Sequence, residues 1–223
     1  YLKMFPQWES VPMANISGID ASKIRETYFK DLYATPSVIP TQTRDFLNVF
    51  STTLDFVQLC NEYSFIESYK QSWSTAPYPP TFVTVDAVVF YCGHVLLVKR
   101  KAEPGKGLWA LPGGFIGAKE KIKDACIREL YEETKLGLYP SELHGMYKSS
   151  DVFDAPGRSL RGRTITHAFH FSTILPFTRL EGKLPRVKGS DDAEVARWFP
   201  LNQALSMGDQ LFEDHRDVIL KFV

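Results

Sequence analysis

The chain has 223 residues and a mass of 25.4 kDa, enough for one substantial hydrophobic core and a smaller appendage. Its 26 basic and 26 acidic residues give a formal net charge of zero, so bulk charge supplies no attraction to nucleic acid or to a membrane surface. The sequence shows no run long enough for a transmembrane helix and no signal peptide. Three scattered cysteines, an odd number, predict reduced thiols and an intracellular, cytoplasmic protein.

Residues 1–40 are interrupted by prolines and are predicted to be irregular, apart from one segment. That segment, Ile16–Arg25, reads Ile-Ser-Gly-Ile-Asp-Ala-Ser-Lys-Ile-Arg. We expect Ser22 to cap a helix that runs toward Lys30, with Arg25 in its first turn. A capped helix start beside a cation suits a phosphate, although capping alone also accounts for the segment.

Residues 42–73 carry large apolar side chains at helical spacing and are predicted to be helical, with a break at Asn61–Ser64. The apolar stripe favours a core or interdomain face rather than chemistry. Prolines then stiffen Trp73–Pro80, which we interpret as a linker. The sequence therefore predicts a helical N-terminal segment at 1–75 and a second domain at 76–223.

Residues 81–91 are β-branched and aromatic, which indicates a buried strand. The tight turn 92–94 and the apolar run 95–98 complete a predicted hairpin. Basic residues 99–101 follow at its end. They are either a solvated strand end or a place where Arg100 faces an anion.

The most informative stretch is 107–137, which begins with a short apolar strand at Trp109–Leu111. Pro112–Gly114 forces a turn and lets backbone carbonyls come close to a ligand. A helical pattern follows from about Lys119. Its packing side is formed by small and aliphatic residues: Ile122, Ala125, Cys126 and Leu130.

On this helix Glu129, Glu132 and Glu133 are spaced i, i+3 and i+4, so they lie on one face. Three adjacent carboxylates repel one another unless positive charge lies between them, and clustered hard oxygens are the ligands that Mg²⁺ or Mn²⁺ prefers. Glu120 is placed to pair with Arg128 and to fix the helix against its loop. The alternative is a solvated acidic helix face.

Downstream of this helix we predict a polar loop over Tyr147–Arg163. The loop suits an anionic nucleotide, because guanidinium groups bind phosphate through paired hydrogen bonds and stack on bases. The residues concerned are Arg158, Arg161 and Arg163, together with the aromatic Phe153. A solvated basic loop is the alternative.

Three further elements complete the chain. They are a strand at Ile165–Ile174, an acidic turn at 189–194 and a closing helical stretch at 201–223, which is interrupted near Gly208.

The offsets in 107–137 resemble the signature of the Nudix hydrolases: Gly, five residues, Glu, seven residues, then Arg-Glu-hydrophobic-x-Glu-Glu-x-Gly-hydrophobic. The matching positions are Gly114, Glu120, Arg128, Glu129, Leu130, Glu132, Glu133 and Leu136. Lys135 stands where the family has glycine, so we expect a slightly longer helix that ends in a left-handed Gly137.

The resemblance implies a Nudix α/β/α sandwich with a mixed sheet, preceded by the helical N-terminal segment. It implies that Mg²⁺, or Mn²⁺, is held by the glutamates Glu129, Glu132 and Glu133. A backbone carbonyl near Gly113 is a further ligand in this family. In this family the acidic turn delivers a carboxylate, so Asp191, Asp192 and Glu194 are alternatives for the general base, beside Glu132 and Glu133 as catalytic residues. Arg100 is then expected to face a diphosphate.

The run Asp-x-Pro-x-Arg-x-x-Arg-Gly-Arg at 154–163 is similar to that of ADP-ribose pyrophosphatases fused to nicotinamide-nucleotide adenylyltransferases. The segment Ile16–Arg25 looks like the closing motif of those transferases, whose His-x-Gly-His element is absent here. We therefore expect hydrolysis of ADP-ribose to AMP and ribose 5-phosphate in NAD metabolism, without the transfer reaction, and a homodimer. The alternatives are another nucleoside diphosphate-X or a non-catalytic module that senses ADP-ribose.

Overall fold

The structure is a computed structural model that describes residues 20–30 and 39–223. The chain divides into two compact units, Tyr1–Ser64 and Phe65–Val223. Most of the predicted irregular region, and the first four residues of the segment beginning at Ile16, lie outside the described residues. Among the described residues, no helix has both the length and the apolar character that a bilayer crossing demands.

The first helix, α1, spans Ala21–Lys30, but its cap differs from the prediction. The side chain of Asp20 accepts hydrogen bonds from the backbone N–H groups of Ser22 at 2.8 Å and Lys23 at 3.3 Å. Asp20 is therefore the capping residue, and the assignment of that role to Ser22 was wrong. The carboxylate of Asp20 comes two positions earlier and reaches the free N–H groups of the first turn.

The next two helices are α2, Thr41–Phe50, and α3, Leu54–Ser72. The predicted break at Asn61–Ser64 was wrong, since α3 runs through it. The chain breaks instead at 51–53, where three successive hydroxyl side chains donate to carbonyls three residues earlier. Such bonds compete with helical ones, and the Thr53 hydroxyl also accepts the N–H of Phe56, which starts α3.

The second unit is built on a mixed sheet of seven strands among the described residues. They are β1 Thr81–Tyr91, β2 His94–Arg100, β3 Trp109–Ala110, β4 Gly113–Phe115, β5 Tyr147–Phe153, β6 Arg163–Thr173 and β7 Ala193–Pro200. β1 is central: it pairs in parallel with β6 and antiparallel with β2 and β4, while β5 flanks β6, and β3 and β7 pair with β2. The predicted β1–β2 hairpin is confirmed, with Cys92 and Gly93 both at positive φ.

Four helices cover this sheet: α4 Ile122–Thr134, α5 Pro140–Met146, α6 Leu201–Leu205 and α7 His215–Lys221. Side chains alternate along β1, so Val85, Ala87 and Val89 pack with α4 and α5, whereas Val88 and Phe90 pack with α6 and α7. The predicted α/β/α sandwich with a mixed sheet and a preceding helical segment is confirmed. It places the end of α4 over the short edge strand β4.

Two local predictions in this unit were wrong. The predicted polar loop begins instead as strand β5, and only residues 154–162 are irregular. This strand pairs with β6 on one side only, and Lys148 to Ser150 are exposed, so its sequence lacks the apolar alternation of a half-buried strand. The helix α4 does not extend past Thr134: Lys135 itself takes the left-handed conformation, with φ 44° and ψ 43°, and Gly137 does not.

Candidate active site

A cleft of about 460 Å³ lies around the edge strand β4, beside the C-terminal half of α4. Gly113 and Gly114 are paired with Asp86 and Val85 of β1, so they face opposite sides of the sheet. A Cβ atom on Gly114 would come within 2.7 Å of the carboxylate of Glu129, and one on Gly113 would meet Asp86. The two glycines therefore let polar side chains of both faces approach one continuous cleft.

The glutamates Glu129, Glu132 and Glu133, called the carboxylate cluster below, line this cleft. Arg128 Nη1 donates to Glu129 at 2.8 Å and to Glu132 at 2.9 Å. The same guanidinium donates to Glu120 at 3.0 and 2.7 Å, which confirms the predicted ion pair. This contact holds the pKa of Glu120 down at about 2, and it ties the loop before α4 to the helix.

Glu133 is the most buried member of the cluster, with 7% of its surface exposed. The backbone N–H of Gly113 donates to its carboxylate at 3.0 Å, which fixes α4 against β4. Burial raises the pKa of Glu133 to about 8, and the negative charge of Glu129 adds to this rise. The hydrogen bond from Gly113 opposes the rise, because it stabilises the ionised carboxylate. Burial likewise raises the pKa of Glu129, and Arg128 opposes that rise.

The acidic turn before β7 is attached to the end of α4 by backbone hydrogen bonds. Ser190 N–H donates to the carbonyl of Glu133 at 3.0 Å, and Lys188 N–H donates to that of Thr134 at 2.8 Å. As a result Asp191 and Asp192 both line the cleft. The negative charge of Asp192 contributes to the raised pKa of Glu133, and that of Asp191 contributes to the raised pKa of Glu129.

The side chains of the cleft supply oxygen donors of the kind that bind a divalent cation. In residues 20–30 and 39–223, no three His, Cys, Asp or Glu side chains converge as a closed ligand set. In the carboxylate cluster a guanidinium, that of Arg128, lies against Glu129 and Glu132. The donors are nevertheless the hard oxygens that Mg²⁺ and Mn²⁺ prefer, and the buried Glu133 is costly to ionise without further positive charge. The residues fit such an ion if Arg128 releases the two carboxylates.

Basic side chains line the other part of the cleft. Arg100 lies over the ring of Phe212 at 4.1 Å and donates to the carbonyl of Pro104, and Arg161 lines the same cleft. Arg158 also reaches it, but its side chain is 3% exposed and donates twice to Asp214, at 2.9 and 2.7 Å. Arg158 is thus committed to an internal ion pair, whereas Arg100 and Arg161 face the cleft with fewer bonds.

The structure brings most, but not all, of the predicted site residues together. Those that line the cleft are Arg100, Gly113, Glu129, Glu132, Glu133, Arg158, Arg161 and Asp192. Three do not. Phe153 packs against Phe222, Arg163 donates to the carbonyl of Asp154, and Glu194 is exposed on β7.

Several ionisable residues of the cleft were not predicted from the sequence, among them Asp86, Glu213 and His215. A carboxylate inside the apolar strand β1 was a signal for Asp86, whose burial raises its pKa to about 7. Glu213 and His215 lie in the closing segment, where no motif marked them. His215 accepts the N–H of Leu111 at 2.8 Å, and burial lowers its pKa to about 3.

Known proteins share sequence and fold with this chain. The model of the NUDIX domain matches residues 80–222. The ADP-ribose pyrophosphatase of Methanocaldococcus jannaschii is 36% identical over 141 residues, which are 63% of this chain and 72% of that protein. The NUDIX domain of Shewanella oneidensis NrtR, solved in complex with ADP ribose, superposes with a TM-score of 0.51 at 25% identity over 70% of this chain and 95% of that one.

A longer protein resembles the whole chain. It is the bifunctional NMN adenylyltransferase/ADP ribose pyrophosphatase of Francisella tularensis, solved in complex with AMP and a manganese ion. It superposes with a TM-score of 0.85 at 35% identity, covering 100% of this chain but 65% of that protein. The chain therefore spans just under two thirds of its length. With the family model matching more than half of the chain and the carboxylate helix in place, this chain belongs to the Nudix family and is a Nudix hydrolase.

Proposed function

We propose that this chain hydrolyses the diphosphate bond of ADP-ribose, giving AMP and ribose 5-phosphate, with Mg²⁺ or Mn²⁺ as the cofactor. The observation that carries the proposal is the cleft itself, in which the carboxylate cluster faces Arg100 and Arg161. A dianionic diphosphate needs cationic partners, and clustered carboxylates need cations between them. The substrate is supported by the 36% identity to an ADP-ribose pyrophosphatase and by the likeness to the AMP and ADP ribose complexes.

In this mechanism Glu129, Glu132 and Glu133 would hold the cations, with the backbone near Gly113 as a further donor. A bound divalent ion supplies charge neutralisation and lowers the pKa of a coordinated water. The protein contributes position: the Glu120–Arg128 pair and the Gly113–Glu133 hydrogen bond fix α4 against the loop and β4. The guanidinium groups of Arg100 and Arg161 stabilise the negative charge that builds on the phosphate oxygens.

We assign the general base to the acidic turn, and within it to Asp192. Asp192 lines the cleft, and its charge acts on Glu133, whereas Glu194 is exposed outside the cleft. Asp192 is also held in place, because its carbonyl accepts the N–H of Lys101 at 3.0 Å. A carboxylate at this position accepts a proton from the attacking water. Asp191, the neighbour in the same turn, is the alternative.

We further propose that residues 1–75 are the tail of an adenylyltransferase domain and its linker, joined to the hydrolase domain at 76–223. The likeness to the Francisella protein across 100% of this chain supports this origin. The three free cysteines support a reducing, cytoplasmic setting, and NAD metabolism follows from the substrate. A homodimer remains an expectation, which light scattering of the purified chain tests.

One assay tests the activity. The chain is incubated with ADP-ribose and Mg²⁺, and the products are resolved by chromatography. We expect AMP and ribose 5-phosphate, and a loss of at least about 10²-fold in rate for Glu133→Gln, because this change removes charge from the cation site. Glu181→Gln is the matched control, since that side chain is 78% exposed and lies in a solvated pair with Lys183.

Other outcomes assign other functions. Faster cleavage of NADH or of a sugar nucleotide would replace ADP-ribose as the substrate. Binding of ADP-ribose without turnover would favour the second candidate, a sensing module, which the likeness to the NrtR domain brings into consideration. Undiminished turnover by Glu133→Gln would remove the metal assignment.

A further inference from the structure

One carboxylate of the cleft has no role in the chemistry described above. Glu213 lines the cleft and is half-buried, although it belongs neither to the carboxylate cluster nor to the acidic turn. Its backbone is left-handed, with φ 45°, a conformation that residues with a Cβ atom rarely adopt. Such residues persist where the surrounding structure holds them in place, and they concentrate at sites that bind a ligand.

Both chain neighbours of Glu213 are fixed to other elements of the second unit. The N–H of Phe212 donates to the carbonyl of Trp109, in β3, at 2.8 Å. Asp214 accepts two hydrogen bonds from the buried guanidinium of Arg158, at 2.9 and 2.7 Å. Because the chain is held on either side, the left-handed residue between these neighbours has a defined direction, and its side chain reaches the cleft.

The carboxylate of Glu213 has hydrogen-bonding capacity beyond its contact with the protein. Burial raises its pKa, whereas a hydrogen bond with the side chain of Ser159 and the positive charge of Arg161 lower it. An ionised carboxylate has about four acceptor positions, and a hydroxyl donor occupies one of them. A half-buried carboxylate in a cleft therefore gains from donors that a ligand brings with it.

The arginine Arg100 connects Glu213 with the carboxylate cluster. Burial and the charge of Arg161 lower the pKa of Arg100, and the negative charges of Glu133 and Glu213 both oppose this change. The same guanidinium is thus near enough to interact with both carboxylates. A diphosphate that lies between the carboxylate cluster and Arg100 can place the group attached to it within reach of Glu213.

We propose that Glu213 accepts hydrogen bonds from neighbouring hydroxyls of a ribose that adjoins the diphosphate, and that it selects substrates with these hydroxyls present. This inference rests on the proposed function, since it takes the diphosphate to lie at the carboxylate cluster. A carboxylate accepts hydrogen bonds from ribose hydroxyls, but it repels a further phosphate group. Glu213 therefore favours a sugar over an additional phosphate at this end of the cleft.

The test compares ligands that differ by one hydroxyl, with binding measured by calorimetry in buffer that contains Mg²⁺. One pair is ribose 5-phosphate and 2-deoxyribose 5-phosphate, and the other is AMP and 2′-deoxy-AMP, because either ribose of ADP-ribose can be the one at Glu213. In at least one pair, the unaltered chain should bind the ligand with the hydroxyl at least about tenfold more tightly, since a hydrogen bond to a charged acceptor is strong. In Glu213→Gln this ratio should fall below about threefold.

Two results would overturn the proposal. One is an unaltered chain that does not distinguish the members of either pair. The other is a ratio in Glu213→Gln that equals the ratio in the unaltered chain. Glu181→Gln is the matched control, because Glu181 is also left-handed, with φ 50°, but its side chain is 78% exposed and does not line the cleft. This control should keep both ratios unchanged, and an equal loss in it would also overturn the proposal.

Inorganic pyrophosphate separates the loss of a hydrogen bond from a disturbed fold. It is an anion without sugar hydroxyls, so the charge of Glu213 opposes its binding. Glu213→Gln should therefore bind pyrophosphate as tightly as the unaltered chain, or more tightly. Weaker binding of pyrophosphate, together with equal losses for both members of each pair, would assign Glu213 a structural role and overturn the proposal.

These measurements require no turnover, so they can fail separately from the proposed activity. A chain that distinguishes the ligands through Glu213 but does not cleave ADP-ribose would contradict the activity and leave the ribose contact in place. A chain that cleaves ADP-ribose, but whose Glu213→Gln variant distinguishes the ligands as before, would contradict the ribose contact alone.

Discussion

Replacing Glu133 by glutamine should make the metal-free protein more stable at high pH while it abolishes activity. Glu133 is 7% exposed, and burial raises its pKa from 4.5 to about 8 in the folded chain. Between these two pH values the folded chain retains a proton that the unfolded chain has lost. Its contribution to stability is therefore complete below pH 4.5 and is lost as pH rises through about 8.

The size of the effect follows from the pKa of Glu133. One pKa unit corresponds to about 1.4 kcal/mol, so the wild-type chain should lose about 3 kcal/mol from this group between pH 5 and pH 8. Glutamine resembles the protonated acid and can still accept the hydrogen bond from Gly113. The variant lacks the ionisation, so the difference in unfolding free energy between variant and wild type should grow by about 3 kcal/mol over this range.

The assay is urea unfolding at several pH values in the presence of a chelator. Glu132→Gln is the matched control: its side chain is 44% exposed and pairs with Arg128, so the change should cost at most about 1 kcal/mol. Adding Mg²⁺ should raise the unfolding free energy of the wild type at pH 8, and it should raise that of Glu133→Gln much less. A Glu133→Gln variant that follows the wild-type pH dependence, or is less stable at pH 8, would refute the reasoning.

Three other predictions follow from single positions. Lys135→Gly should raise the unfolding free energy by about 1 kcal/mol in urea, because Lys135 holds the left-handed end of α4 at φ 44° without the freedom of glycine. Gly114→Ala should lower kcat at least about tenfold with an unchanged melting temperature, because the added Cβ displaces the carboxylate of Glu129. Gly145→Ala is the control and should leave kcat unchanged, because a Cβ at Gly145 meets no atom within 4 Å. Burial lowers the pKa of His215 to about 3, so its contribution to stability is present above pH 6.5 and is lost as pH falls toward 3. In His215→Asn the unfolding free energy should therefore fall by on the order of 3 kcal/mol less than in the wild type over this pH range, as measured by acid unfolding.

Local patterns in the sequence predicted where the glutamates of α4 and their arginine partner lie. The i, i+3, i+4 spacing of the glutamates is fixed by helix geometry, so their common face was predictable. Glu120 lies in the loop before α4, and its ion pair with Arg128 was predicted from the offset of the two residues in the sequence. The buried strand β1 and its two-residue turn were also predictable, since apolar β-branched runs and a Gly-containing turn have few alternative structures.

The remaining features depend on contacts between distant segments. Asp86 and His215 reach the cleft from β1 and the start of α7, and their spacing of more than a hundred residues carries no periodicity. The left-handed conformation of Lys135 was not predicted, because Gly137 was the residue expected to end the helix in that conformation. Arg158 was expected to bind substrate, but its partner Asp214 is supplied by the closing segment, which the local motif does not include.

The central claim is that the carboxylate cluster on α4 holds divalent cations and that the diphosphate bond breaks there. The most direct measurement is Mn²⁺ binding by electron paramagnetic resonance, followed in parallel with cleavage of ADP-ribose, for the wild type, Glu133→Gln and the distant control Glu181→Gln. We expect Glu133→Gln to weaken Mn²⁺ binding at least about tenfold and to abolish cleavage, and we expect the control to preserve both. Full Mn²⁺ binding and full cleavage by Glu133→Gln would contradict this claim.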